Sequence, residues 1–203
     1  MQFLFFFFFY KLNEQEEISI LFILKTVAKQ LNSIQNHKLK MNNFKDKTAL
    51  ITGGASGIGK IMSRLLLERG VKIIIWDINP KGIEETIAEL NHLGTISGYV
   101  VDVSKPEQIQ ETADQVKREK GTVDILINNA GIIVGKYFHE HSTAEILATS
   151  AINASAPMLI TSQFLQGMLD QNLGYVCNIA SSGGLISNPK MSVYAASKWS
   201  LIG

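Results

Sequence analysis

Tyr194 and Lys198 stand four positions apart in the run Tyr194-Ala195-Ala196-Ser197-Lys198. Residues i and i+4 share one face of a helix, so a phenol and an ammonium at this spacing address one site. A phenol ordinarily titrates near pH 10, too high for a useful base at neutral pH. A neighbouring cation favours its ionised form and moves it toward the range where general acid–base catalysis works. The chemistry open to this pair is proton transfer to or from an oxygen.

A second constellation lies near the other end of the chain. Thr52-Gly53-Gly54-Ala55-Ser56-Gly57-Ile58-Gly59 closes an apolar run at 48–52 and opens a helical period over 58–69. A tight turn, a close backbone approach to a diphosphate and close helix packing each ask for glycine. The helix N-terminus that follows offers free N–H groups and the positive end of a dipole to phosphates. A strand before and a helix after are the context in which such a run binds a dinucleotide. Asp77 ends the next apolar run, 20 residues beyond Gly57. An acid there accepts hydrogen bonds from the adenosine ribose hydroxyls of NAD. It would repel the 2′-phosphate of NADP, and its neighbours Ser56 and Ile78 are not basic, so NAD is expected over NADP. Standing alone, Asp77 would read as an ordinary turn acid at a strand end.

These residues need a frame, and the pattern supplies one. Apolar, β-branched runs at 48–52, 71–76, 95–101, 123–127 and 173–180 read as strands. Helical stretches separate them: 58–69, stopped by Gly70; 80–93, opened by Pro80; 104–120, with Ser104 as N-cap and Pro106 in the first turn; and 142–169, capped at Ser142 and kinked at Pro157. A last helix begins near Ser192. Strands alternating with helices predict an α/β fold, a doubly wound parallel sheet with both faces covered. Near-continuous apolar strands fit burial on both sides. A doubly wound dinucleotide fold uses six strands, and five are legible here. The chain is therefore expected to be an incomplete domain at 41–203, inactive as it stands because its final helix and a sixth strand are unfinished.

TGGASGIG resembles the TGxxxGxG pattern of the short-chain dehydrogenase/reductase family, in its compact single-domain branch, and Tyr194 to Lys198 matches the YxxxK of that family. The resemblance covers roughly Phe44 to Gly203. It implies that Gly53, Ser56, Gly57, Ile58, Gly59 and Asp77 bind the cofactor, that Asp102 and Val103 contact the adenine, and that Asn129, Ala130 and Gly131 line the cofactor while Asn128 braces the sheet. Tyr194 and Lys198 also touch it, the lysine at the nicotinamide ribose. Ser181 occupies the position of the serine that hydrogen-bonds the substrate oxygen, with Ser182 its neighbour if the register slips by one. Asn153 matches a fourth catalytic residue that helps hold a water chain from the lysine to solvent. The activity implied is hydride transfer between NAD(H) and an alcohol or carbonyl carbon, with the tyrosine as general acid or base. Trp76 to Thr86 and the stretch from Asn128 to Lys198 look most like members acting on lipophilic alcohols such as retinol and steroids. The family also implies a homodimer or homotetramer.

Composition narrows the alternatives. The chain has 203 residues, 46% of them hydrophobic and 18% charged, enough for one domain with a sizeable core. A net charge of +1 gives no footprint for nucleic acid. The one cysteine, Cys177, precludes an internal disulfide and, in its apolar run, reads as a small buried hydrophobe, which fits a cytoplasmic location. His139 and His141 flank Glu140, but no further ligand cluster accompanies them, so no metal is expected. The first forty residues differ in kind: a phenylalanine tract at 3–10 and a second apolar patch at 18–28, neither reaching the roughly 18–20 apolar residues that span a bilayer. Two readings stand, a membrane-surface anchor or an upstream extension outside the fold with Met41 as the working start, and the second is favoured. A competing function is a cofactor-binding or regulatory protein without turnover. The joint presence of Asn153, Ser181, Tyr194 and Lys198 argues against it.

Overall fold

The structure is a computed structural model that describes residues 2–6, 44–186 and 188–202. Six strands, β1 (Gln2–Phe6), β2 (Thr48–Thr52), β3 (Lys72–Asp77), β4 (Ile96–Val100), β5 (Ile125–Asn128) and β6 (Tyr175–Ile179), form one parallel sheet in the order β1-β6-β5-β2-β3-β4. The α/β expectation holds: helices α1 (Gly57–Leu67), α2 (Pro80–Leu90), α3 (Pro106–Lys120), α4 (Thr143–Ser150), α5 (Ala156–Asp170) and α6 (Ser192–Trp199) separate the strands or follow the last one.

The two-residue period of the strands sorts their side chains onto two cores. Ala49, Ile51, Ile73, Ile75, Ile125 and Ile127 point to one side, where Met62, Leu66 and Leu67 of α1 and Ile83 and Leu90 of α2 cover them. Leu50, Ile74, Trp76, Leu126 and Val176 point to the other, under Ile109, Ala113 and Val116 of α3 and Ile160, Phe164 and Met168 of α5. Each fully buried Leu or Ile contributes about 1.5–3 kcal/mol relative to exposure. Burial on both sides is why these strands read as continuous apolar runs.

Helix boundaries follow local chemistry. Asn79 caps α2 by accepting the Gly82 N–H, and Pro80 sits in its first turn. Ser142 and Glu145 form a capping box at α4. Gly70 takes a φ of +78° just beyond α1, as expected of a glycine stop. Two expectations are corrected. Ser104 does not cap α3: Asp102 Oδ1 accepts both its N–H and its hydroxyl, which moves the N-cap to Lys105. The irregularity expected at Pro157 lies one turn earlier, as a π-helical turn at Ala151–Ser155, and Pro157 sits in the first turn of α5. A proline offers no N–H to the turn before it, and the wider turn absorbs the missing bond.

β1 pairs with β6 from Gln2 opposite Tyr175 to Phe6 opposite Ile179. These five residues lie at the sheet edge, whereas the sequence reading favours a segment 1–40 wholly outside the fold. An open parallel edge presents unpaired N–H and C=O groups, and an extended segment satisfies them. The remainder of that segment, including the patch at 18–28 and Met41, lies outside the described residues. Among the described residues, no helix is long and apolar enough to cross a membrane.

At the opposite end of the strands from the glycine turn, Asp124 is 9% exposed and ties β2 to β5. Its carboxylate accepts the Thr48 N–H at 2.8 Å and pairs with Lys47 Nζ at 3.2 Å. Asp124→Ala leaves a partly buried N–H without its acceptor and is expected to cost about 1–3 kcal/mol. A lowered urea midpoint with an unchanged m-value checks this.

Candidate active site

The glycine turn lies at the carboxyl ends of the strands, the edge where open parallel sheets bind ligands. Gly53 has a φ of +64°, which favours glycine. A Cβ on Gly59 would lie 2.1 Å from the Gly53 carbonyl oxygen, so α1 can close on the turn only without one. Ser56 is exposed, extended and makes no side-chain cap bond to α1, and Gly57 beside it is exposed too. Ile58 packs back onto the core. The result is a bare helix N-terminus facing outward, which suits a diphosphate.

Asp77 is held against this turn. Its Oδ2 accepts the Ala55 N–H at 3.1 Å and its Oδ1 accepts the Asn79 N–H at 3.0 Å. Asp102 and Val103 follow β4 on the neighbouring strand, and Val103 packs against the second core. The loop after β5 closes the other side. Thr52 Oγ1 accepts the N–H groups of both Asn129 and Ala130 at 3.0 Å. Asn129 Nδ2 donates to the carbonyls of Thr52 at 2.9 Å and Gly53 at 3.2 Å. The Asn129 side chain therefore bolts the loop to the glycine turn. Asn128, 2% exposed, donates to Asn178 Oδ1 at 2.8 Å and Thr161 Oγ1 at 3.2 Å, joining β5 to β6 and α5.

The chemical end lies beyond that loop. Lys198 on α6 is buried, and its Nζ donates to the carbonyl of Ile179, the last residue of β6, at 2.7 Å. Burial disfavours the ammonium and brings its pKa down to about 8. Ser181 Oγ accepts the Gly183 N–H at 3.1 Å. A Cβ placed on Gly183 would lie 3.4 Å from both Ser181 Oγ and the Tyr194 ring, so these two groups flank one point. Ser182 starts the 3-10 turn Ser182–Gly184, and that turn packs against the backbone of α6: a Cβ on Gly184 would lie 2.9 Å from the Lys198 carbonyl carbon.

Asn153 is fully buried in the π-helical turn. Its Oδ1 accepts the Ile132 N–H and its Nδ2 donates to the Ile132 carbonyl, both at 2.8 Å. A Cβ on Gly131 would lie 3.3 Å from Asn153 Oδ1 and 3.4 Å from Lys198 Nζ, so Gly131 leaves the space between them open. Asn153, Ser181, Tyr194 and Lys198, spread over three segments of sequence, thus gather beside the glycine turn. Two participants escape the sequence reading, Thr52 and Ser197. Each is a small hydroxyl in an otherwise apolar stretch, and that mismatch is the signal they leave.

The sequence profile described as short chain dehydrogenase matches residues 47–203. The chain belongs to the short-chain dehydrogenase family. Estradiol 17-beta-dehydrogenase 11 of Macaca fascicularis is 39% identical over 155 residues, covering 76% of this chain and 52% of the relative. Epidermal retinol dehydrogenase 2 of Mus musculus is 32% identical over 188 residues, covering 91% and 61%. The chain thus spans little more than half the length of these relatives. Among solved structures, a metagenomic short-chain oxidoreductase in complex with NADP superposes with a TM-score of 0.76 at 29% identity, over 79% of this chain and 73% of that one. NAD+-bound xylitol dehydrogenase gives 0.75 at 29%, over 79% and 62%.

Within this short-chain dehydrogenase turn, two glycines separate backbone strain from steric conflict. Gly57 has a φ of +48°, and a Cβ there would meet open space, so Gly57→Ala meets only the left-handed penalty of about 1–2 kcal/mol. Gly59→Ala must push the Gly53 carbonyl aside, and its larger loss is expected to open the turn. Urea unfolding of the two variants is expected to rank them in that order.

Proposed function

We propose that this chain is the cofactor-binding and catalytic part of an oxidoreductase that moves hydride between NAD(H) and the alcohol or carbonyl carbon of a small, lipophilic molecule. The observation that carries this reading is the meeting of Ser181, Tyr194, Lys198 and Asn153 beside a bare glycine turn. The cradle fits a dinucleotide: Gly53, Ser56, Gly57, Ile58 and Gly59 for the diphosphate, Asp77 for the adenosine ribose, Asp102 and Val103 for the adenine, and Asn129, Ala130 and Gly131 along the remaining length. When bound, the nicotinamide supplies or accepts the hydride. The residues do the rest. Ser181 and Tyr194 grip the substrate oxygen, and the Tyr194 hydroxyl gives or takes its proton. Lys198 stabilises the ionised phenol; an ammonium has three donors, and the bond to Ile179 uses one, so a ribose hydroxyl can take another. Asn153 and the gap at Gly131 give that ammonium a route to water. The steroid and retinol dehydrogenases among the relatives support a lipophilic substrate. Cys177, a free thiol that burial pushes up to about 12, suits a cytoplasmic setting. Exposed Leu147, Met158 and Leu159 on α4 and α5 suit pairing with a second copy.

Asp77 sets the cofactor. A 2′-phosphate would bring like charge to its carboxylate, and Ile78 beside it is 64% exposed with no charge to offset it. NADH is therefore expected to bind more tightly than NADPH in a nicotinamide-fluorescence titration; equal affinities or a preference for NADPH would refute the charge argument. In the whole oxidoreductase of which this chain is a part, Tyr194→Phe removes the proton donor and is expected to lower kcat by about 10²–10⁴-fold with little change in NADH affinity. An alcohol panel assayed with NAD checks both this loss and the reaction itself.

The pKa of Lys198 also makes stability depend on pH. Between about 8 and 10.5 the unfolded chain holds a proton on Lys198 that the folded chain has released. Its contribution to stability therefore rises with pH across that window and is lowest below it. Lys198→Met removes this dependence, so the difference in urea stability between the parent and variant is expected to change between pH 7.5 and pH 10.

A further inference from the structure

Ser197 is 5% exposed and sits on α6 directly before Lys198. Its hydroxyl donates to the Tyr194 carbonyl at 2.7 Å and accepts from Asn153 Nδ2 at 3.0 Å. Asn153 is fully buried, and both N–H bonds of its amide are accounted for by Ile132 and Ser197. The clamp on Ile132 fixes the amide to the loop after β5. The bond to Ser197 is what fixes it to the helix that carries Tyr194 and Lys198. One hydroxyl thereby connects three segments whose relative placement sets the gap between Asn153 Oδ1 and Lys198 Nζ at Gly131.

We propose that Ser197 is a positioning residue that registers the Asn153 amide, and with it the loop at Ile132, against the helix carrying Tyr194 and Lys198. Its catalytic consequence rests on the oxidoreductase reading above. Removing the hydroxyl leaves a buried N–H of Asn153 without an acceptor, an orphan that the amide relieves by turning. Turning breaks the paired bonds to Ile132 and moves Oδ1 away from the lysine. Ser197 does not itself touch substrate; its effect passes through Asn153. Misplacement of a catalytic group by about 1 Å costs up to about 100-fold in rate.

The test uses the full chain and its Ser197→Ala, Asn153→Ala and doubly substituted variants. Hydrogen exchange at the Ile132 amide needs no turnover. In Ser197→Ala it is expected to quicken about five- to ten-fold, the size of one neutral hydrogen bond, with exchange at core Ile127 unchanged. With NAD and an alcohol, Ser197→Ala is expected to lower kcat about ten-fold and alter its pH profile in the parent background. In the Asn153→Ala background it should cost nothing further. Unchanged exchange at Ile132 overturns the proposal. So does loss of protection at Ile127 in step with Ile132, which makes the role one of folding alone. An equal fall in kcat in both backgrounds overturns it as well, as does an unaltered kcat in Ser197→Ala. Where the parent chain turns over no alcohol, as expected of an incomplete domain, exchange at Ile132 decides the registration by itself.

Discussion

The hydroxyl of Thr52 holds the two halves of the site together. It accepts from two consecutive backbone amides, Asn129 and Ala130, across the boundary between β2 and β5. Without that acceptor the loop after β5 would carry two N–H groups in a partly buried place with no partner. With it, the glycine turn and the loop that runs to Ile132 are tied together, and Asn129 returns two bonds of its own to the carbonyls of Thr52 and Gly53. Ile132 then clamps Asn153, Asn153 meets Ser197, and Ser197 lies beside Lys198. The sequence of contacts from the glycine turn to α6 is continuous and almost wholly polar, set between two apolar cores.

Much of this was legible beforehand where chemistry is local. The five strands from Thr48 onward, the glycine stop at Gly70, the helix start at Pro80 and the cap at Ser142 depend on neighbouring residues, and each stands close to its expected place. The pair Tyr194 and Lys198 was legible because helix geometry fixes which residues share a face. What escaped depends on partners distant in sequence. Ser104 reads as a cap because its own segment allows it; Asp102 competes for the same groups and wins. Asn129 is expected to line the cofactor, and its further tie to the carbonyls of Thr52 and Gly53 depends on a strand 77 residues away, which spacing does not reveal. Nothing local to Gln2–Phe6 names β6 as its neighbour, because a parallel pairing across the length of the chain leaves no mark in spacing.

The π-helical turn shows the same logic at the level of backbone. Asn153 must face Ile132 and Ser197 at once, and a regular helix running into Pro157 would carry an unmatched carbonyl through a buried stretch. Widening one turn re-aims the asparagine and accommodates the proline together. Lys198 is the electrostatic counterpart. Its ammonium is buried against a carbonyl and, among the described residues, has no carboxylate partner, so burial favours its discharge, in contrast to the surface pairs Lys60–Glu89 and Lys136–Glu145.

The parallel register of the sheet has a kinetic consequence. Strands β2 and β3 with α1 between them are neighbours in sequence and can nucleate early, whereas β5 must cross back over β2, and α6 docks onto a β6 whose partner β5 is already seated. Contacts of such long sequence separation close late and slowly. The glycine turn can therefore take shape while Tyr194 and Lys198 are still unplaced, so the two ends of the candidate site are completed at different stages of folding.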